Sequence, residues 1–370
     1  MENHHTGNPA RVLQLLLRQG RQSRQSLATA LGLSVPTVAQ CAAELCALGL
    51  AYEDGSLAAT GGRKARLLAA DPTARVALGL DITQEHVTAA LVDLAGEVRA
   101  VRRERLAFAQ SETYFSAVAA LAEQFLAEQH VDWAQVPGVG ISIPGIVSAD
   151  RQTLEYSHVL HVRQFACTHF SSLLPRPCSF LNDAKAAAAS EFWDNDEAGR
   201  ALYLSLSNSV GGAIIRDGQI VSGNHHRAGE FGHMTLVPDG RQCYCGQYGC
   251  VDAYCSAKTL TARTGGDLDL FFAQLRGGEA QAVRIWQRYE QYLAATLRTL
   301  LTAFDCPVFL GGYVGTRMEP AELASLREAV GALSTFELEP DAIRLCRRTA
   351  APAATGAALT YIRPFLETLE

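Results

Sequence analysis

Four side chains with metal-binding chemistry fall within eighteen residues of this chain: His233, Cys243, Cys245 and Cys250. One imidazole and three thiolates fill the four positions of a tetrahedral zinc ion, and Gly246 and Gly249 stand where so short a loop must turn back on itself. A metal saturated by protein ligands has no place for water, so such a zinc would brace the fold rather than catalyse. Cys255 follows closely, but four ligands already complete the set. Glu230 precedes His233, and Asp252 follows Cys250 by two residues. A pinned loop would therefore hold two carboxylates near one another, facing a polar ligand. The plainer alternative is an ordinary loop in which thiols coincide.

A second candidate is Asn182-Asp183, at the end of the apolar stretch 178–181 and just before the alanine-rich stretch 184–192. The end of a strand leading into a helix is where α/β folds place ligand-binding groups. A carboxylate there can accept a hydrogen bond from a hydroxyl, or take its proton. It can equally belong to the cap of the following helix, and the two roles are compatible.

The elements needed to position these groups are readable in outline. Residues 77–98 read as strand, turn, strand, a turn at 93–96 and a third strand, and the pattern returns over 201–222, around Ser207-Asn-Ser-Val-Gly-Gly212 and the turn Asp217-Gly218. Such a duplicated start predicts two similar lobes with a cleft between them. Helices are expected over 114–128, 256–264 and 280–304, with buried strands at 138–143 and 308–310.

Ahead of the lobes stands a different module. A helix over 8–19, capped by Asn8 with Pro9 at its first position, precedes one over 24–31 entered by Ser23 and one over 35–48 capped by Ser34. Two short segments around Glu53-Asp54-Gly55-Ser56 and the basic run Thr60-Gly-Gly-Arg-Lys-Ala-Arg66 complete a winged helix-turn-helix. Ser34, Pro36, Thr37 and Gln40 are placed to reach bases or nearby phosphates, and Arg63, Lys64 and Arg66 to touch backbone or minor groove. The plainer reading is a small helical packing module with a solvated basic loop. Charge favours the DNA reading: residues 1–70 carry seven Lys and Arg against four Asp and Glu, a net of +3, which leaves −9 for the rest of a chain whose total is −6. The expected domains are 1–70, a first lobe over 76–195 to which 351–370 returns, and a second lobe over 198–350.

At 370 residues and 48% apolar, the chain can bury more than one core. No apolar run reaches the roughly 18 residues that span a bilayer, and the first residues lack the basic and apolar regions of a signal peptide, so a soluble cytoplasmic protein without membrane association is expected. The cysteines outside 243–255 are scattered singly through apolar segments, as buried free thiols are.

With these residues in place the chain closely resembles the repressor, open-reading-frame and kinase (ROK) family, transcriptional-repressor branch. The family's Glu-x-Gly-His followed by Cys-x-Cys-Gly-x-x-Gly-Cys-x-Glu is matched at 230–233 and 243–252, and Pro144-Gly145, Asn182-Asp183-Ala184, Gly311-Gly312 and a closing helix near 354–361 are further landmarks. The resemblance implies an α/β fold: a winged helix-turn-helix followed by a two-lobed, actin-like (ribonuclease H-like) sugar-kinase body. It also implies that Asn182, Asp183, Glu230 and His233 contact sugar hydroxyls with the Gly145 backbone close by. Asp252 stands where the family has glutamate, one methylene shorter.

The kinases of the family carry Asp-x-Gly-Gly-Thr on the first strand turn, where glycines let the backbone approach phosphate. Here the matching residues are Asp81-Ile82-Thr83-Gln84-Glu85: both glycines are gone and Glu85 sets negative charge where phosphate oxygens would lie. The expectation is therefore no phosphoryl transfer, and Asp183, the proton acceptor in a kinase, becomes a binding group. The implied function is a sugar-responsive DNA-binding regulator, a repressor, with one structural zinc per chain and a sugar or sugar phosphate effector. It would act on a palindromic operator as a homodimer or dimer of dimers. The alternative is an active ATP-dependent sugar kinase fused to a DNA-binding head.

Overall fold

The computed structural model describes residues 7–56, 66–194 and 199–369. The head comprises helices Asn8–Gln19, Arg24–Leu31 and Val35–Ala47 and a small antiparallel sheet of Gln22–Ser23, Arg66–Ala70 and Ala51–Ser56. Ser23 and Ser34 cap the second and third helices through bonds from Ser26 N and Thr37 N. The first helix corrects the expected cap: Gly7 is its cap residue, and Asn8 is already helical, its Oδ1 accepting from the Arg11 guanidinium at 3.3 Å. Proline at the second helical position tolerates a missing N–H as well as at the first, so the shift is harmless.

Two five-stranded sheets of the same order form the body. In the first lobe the meander Val76–Ile82, His86–Asp93 and Val98–Arg105 is extended by parallel strands Val139–Ile143 and Cys178–Asn182. In the second, Arg200–Leu206, Val210–Arg216 and Gln219–Ile220 are extended by Val308–Gly311 and Ile343–Leu345. Each strand pair feeding the cleft is read from its apolar pattern: Val139–Ile143 is buried at every position, as a strand covered on both faces must be.

A third, smaller sheet of Ile146–Val147, Thr153–Ser157 and Val162–Ala166 overhangs the first lobe. Among the described residues no single helix is long and apolar enough to cross a membrane.

Two helices tie the parts together. The cleft helix Asp183–Glu191 follows Asn182, and the closing helix Pro352–Glu367 packs against it and against the first-lobe sheet. The approach is so close that a Cβ on Gly356 would stand 1.6 Å from the Ala186 carbonyl oxygen, which only glycine permits. The other side of the closing helix is shared with the head: Leu359, Ile362 and Leu366 belong to one buried core with Val12, Leu13 and Leu16 of the first helix. Head and body are thus joined by apolar packing, and not by a chain linker alone.

Candidate functional site

Between the lobes lies a cavity of about 580 Å³, lined from one side by Gly145, Tyr156, His158, Asn182 and Asp183 and from the other by Val210, Glu230, His233 and Tyr244. Its volume lies in the range of small-molecule sites. Asn182 is the pivot of the first-lobe wall: its side chain caps the cleft helix by accepting from Lys185 N at 3.0 Å, and donates to the Gly145 carbonyl at 3.0 Å and to Asp183 Oδ1 at 3.1 Å. The cap is therefore Asn182, and the Asp183 carboxylate, receiving Ala184 N at 2.9 Å, remains on the cavity wall.

Burial raises the Asp183 pKa, against the hydrogen bonds that favour its ionised form. Glu230 is raised by burial and by the charge of Asp183, with Lys185 opposing. Two carboxylates kept in low dielectric, without counter-ions in contact among the described residues, are held ready for hydroxyl donors.

The His/Cys cluster forms one end of this wall. The ligand atoms of His233, Cys243, Cys245 and Cys250 all lie within 4.8 Å of one another. Local backbone bonds bring them there: Cys243 N to Gln247 O, Gly246 N to Cys243 O, and Gly249 O to Leu236 N, with Gly249 at φ 77° where a Cβ would meet the Val237 carbonyl at 1.8 Å. Cys245 Sγ and Cys250 Sγ are 3.8 Å apart, and His233 Nδ1 is buried with no hydrogen-bond partner among the described residues. A buried nitrogen left unpaired among three thiols is explained by a cation, so the donor set fits a metal ion. His233 Nε2 stands 3.5 Å from the Tyr244 hydroxyl, and both residues line the cavity, so the ring offers one nitrogen to each role. Cys255, buried beyond the loop, is not in the cluster.

Asp252 departs from the sugar-contact expectation. It is buried but does not line the cavity: its Oδ2 accepts from Val210 N at 2.6 Å, so the shorter carboxylate holds the Ser207–Gly212 loop in place from behind. Residues not singled out from sequence supply much of the lining. Tyr156 and Arg163 come from the overhanging sheet and His158 from the turn between its last two strands, Arg227 and Tyr244 from the second lobe. His158 bonds through Nδ1 to Tyr156 and its ring is 6.0 Å from that of Tyr244, so the two lobes meet at the cavity mouth. The available signal was the alternation of Leu154 and Tyr156 along a short strand, too brief to read alone.

On the nucleotide side, the turn after Asp81 is closed on itself. Thr83 N donates to the His86 carbonyl and His86 N donates to Thr83 Oγ1, while the Gln84 and Glu85 carbonyls are taken by Phe108 N and Leu106 N. Those two amides are spent on the turn itself and are withdrawn from any phosphate. Asp81 accepts from Ser142 Oγ at 2.8 Å, and its pKa is pushed up to about 7, chiefly by burial, with the Asp183 charge adding to it and the Ser142 hydrogen bond opposing.

The sign of the pH effect follows. Below about pH 4 Asp81 is protonated folded or unfolded; between about 4 and 7 only the unfolded chain ionises, so stability falls, and above about 7 the full penalty stands. Asp81→Asn should therefore raise unfolding stability by ~2 kcal/mol at pH 8 and by almost nothing at pH 4, measured by denaturant titration at both.

On the head, Ser34, Pro36 and Gln40 are exposed on the third helix, and Thr37 Oγ1 is 2.7 Å from Ser34 Oγ, so both hydroxyls are engaged in the cap. Arg66 is paired with Glu53, which also receives Arg24 at 2.7 Å. Arg63 and Lys64 lie outside the described residues.

The ROK family profile matches residues 77–360, and a winged helix-turn-helix DNA-binding profile matches 10–50. An N-acetyl-D-glucosamine kinase of Yersinia pestis bv. Antiqua is 34% identical over 214 residues, covering 51% of this chain and 81% of the kinase. The N-acetylglucosamine repressor of Escherichia coli O6:H1 is 24% identical over 259 residues, covering 69% of this chain but only 64% of the repressor's own length. A crystal structure of a ROK family transcriptional regulator, a homologue of the E. coli MLC protein, superposes with a TM-score of 0.75 over 97% of both chains at 22% identity, a likeness of fold.

Proposed function

Because the chain belongs to the ROK family and carries a winged helix-turn-helix ahead of the family's fold, we propose that it is a sugar-responsive transcriptional regulator whose body senses a carbohydrate without phosphorylating it. One observation carries the reading: the sugar half of the cleft presents Asn182, Asp183, Glu230 and His233 around a single cavity, whereas the turn that would cradle phosphate lacks both glycines, carries Glu85 and has its Thr83 and His86 amides engaged in its own hydrogen bonds. Relatives named as a kinase and as a repressor both carry N-acetylglucosamine in their names, so N-acetylated hexosamines and their phosphates are the first ligands to test.

In this reading the cluster holds one structural zinc. Two sulfurs each ~2.3 Å from a tetrahedral ion stand ~3.8 Å apart, the separation found between Cys245 and Cys250. His233 Nδ1 would complete the set, leaving Nε2 for a sugar hydroxyl. The zinc, when bound, supplies only rigidity to the wall. Asn182 and Asp183 then fix one edge of the sugar and Glu230 and His233 the other, so a ligand draws the lobes together.

The cleft helix transmits that motion to the closing helix, and the closing helix to the head through the core around Leu359 and Leu16. Coupling of ~1–3 kcal/mol between the two sites is enough for a useful switch. The protein acts in the cytoplasm as a homodimer or dimer of dimers, each pair of heads reading a palindromic operator through Ser34, Pro36, Thr37 and Gln40.

The test is a thermal-shift screen with sugars and sugar phosphates beside a coupled assay with ATP and magnesium. A sugar that raises Tm with no turnover supports the reading, since a ligand of the native state stabilises in proportion to its affinity. Phosphorylation of that sugar at ordinary enzyme rates sinks it in favour of the kinase, the reading that the 34% identical relative favours. For the head, Arg63→Ala should weaken DNA binding alike on all sequences and reduce the salt slope by about 1, with sugar affinity unchanged. Gel-shift titrations across a salt series read this directly.

A further inference from the structure

A second cavity, of about 310 Å³, is enclosed by the cleft helix, the closing helix, the 147–151 turn of the first lobe and the 218–226 segment of the second. It shares Asn182 with the sugar cavity but has its own polar lining, which includes three cations, Arg151, Lys185 and Arg363, and one carboxylate, Glu367. Lys185 is only 6% exposed, and its Nζ donates to a single acceptor, the His226 carbonyl at 2.7 Å. An ammonium has three N–H donors, so two remain without a protein partner among the described residues.

None of the three cations has a carboxylate within ion-pair distance among the described residues. Arg363 instead lies over the Trp193 ring, 5.3 Å from its centroid. Burial lowers the Lys185 pKa, and Glu230 opposes that shift from the other cavity without touching the amine. A buried ammonium with unfilled donors is unfavourable unless something negative reaches it.

We propose that this cavity binds a small organic anion bearing a phosphate or carboxylate, received by Lys185 and Arg363. The volume suits a molecule no larger than a monosaccharide derivative, at the small end of ligand sites. Leu359 lines the cavity and also belongs to the core shared with the head, so an occupant presses on the element that carries the DNA-binding domain. The site would give the regulator a second input, separate from the sugar.

Inorganic phosphate is the probe, added to the full chain at constant ionic strength and followed by 31P line broadening. The expected result is saturable broadening with a dissociation constant in the millimolar range, weakened at least tenfold in Lys185→Met and in Arg363→Gln. Arg227→Gln, in the sugar cavity, should leave it unchanged. Should Lys185→Met fail to fold, Arg363→Gln on the partly exposed closing helix still decides. No saturable broadening in the wild type, wild-type binding by Arg363→Gln, or loss in Arg227→Gln alone overturns the proposal. Asp183→Asn should lose the sugar yet keep phosphate, so this site and the sugar site stand or fall separately.

Discussion

Cys245→Ser should release the metal and melt the second lobe well before the first. The substitution is nearly isosteric and Cys245 is only half-buried, so lost packing contributes little. What is lost is one of four donors in a loop that has no helix or sheet between 238 and 250 and is otherwise held by turn hydrogen bonds and two isolated bridges, Thr235 with Cys250 and Gln242 with Tyr248. Structural zinc contributes ~10–16 kcal/mol in isolated zinc fingers. Losing a quarter of the donors from a larger domain should remove about 3 kcal/mol or more, a fall in Tm of roughly 10 °C.

The sugar response should go with it, because His233 and Tyr244 lose their anchorage. Metal analysis of the purified protein and scanning calorimetry read both. Cys255→Ser is the control: a buried thiol outside the cluster, whose replacement should leave about one zinc per chain. A Cys245→Ser protein that keeps its zinc, or an intact fold without zinc in the wild type, defeats the assignment.

Asp183→Asn should produce two effects of opposite sign. The amide keeps the shape and an oxygen for Ala184 N, but loses the charge that accepts hydroxyl protons. Hydrogen bonds to a charged partner are worth ~1.5–3 kcal/mol each, and a sugar edge can give two, so affinity should fall about a hundredfold or more. The sugar-free protein, by contrast, should become more stable at pH 8. Burial raises the Asp183 pKa, so the ionised carboxylate is a penalty that grows as pH climbs from about 4, where the unfolded chain ionises, through the raised folded value. Asparagine removes the penalty at high pH and changes little at low pH. Calorimetric titration with the sugar and denaturant curves at pH 5 and pH 8 separate the two. Equal loss of affinity and stability would mean that Asp183 is structural.

Local chemistry made most of the parts legible. The spacing of His233 and the thiols, the serine caps of the head, the repeated meander over 77–98 and 201–222, and the missing glycines after Asp81 are short-range signals, each decided by a few neighbouring residues. They determined a winged helix-turn-helix, two lobes, a loop with metal-ligand spacing and an altered nucleotide turn. The helix Leu268–Arg276 and the overhanging sheet were not read because short elements carry too few periods to stand out, and the longer helix Pro320–Leu333 because it buries few large apolar side chains, Leu326 and Val330 among them.

Three things required the tertiary structure. Asp252 turned out to serve Val210 N, since whether a carboxylate one methylene short still reaches a cavity depends on backbone placement forty residues away. Arg66 proved to be held by Glu53, a cross-strand partner that only the sheet register brings near. The union of the closing helix with the head depends on packing between residues more than three hundred apart in sequence, and the second cavity beside it on elements as far apart as Val147 and Glu367. Sequence by itself determined which groups this protein owns; the fold decided which of them face a ligand, because burial and direction are properties of contacts and not of order along the chain.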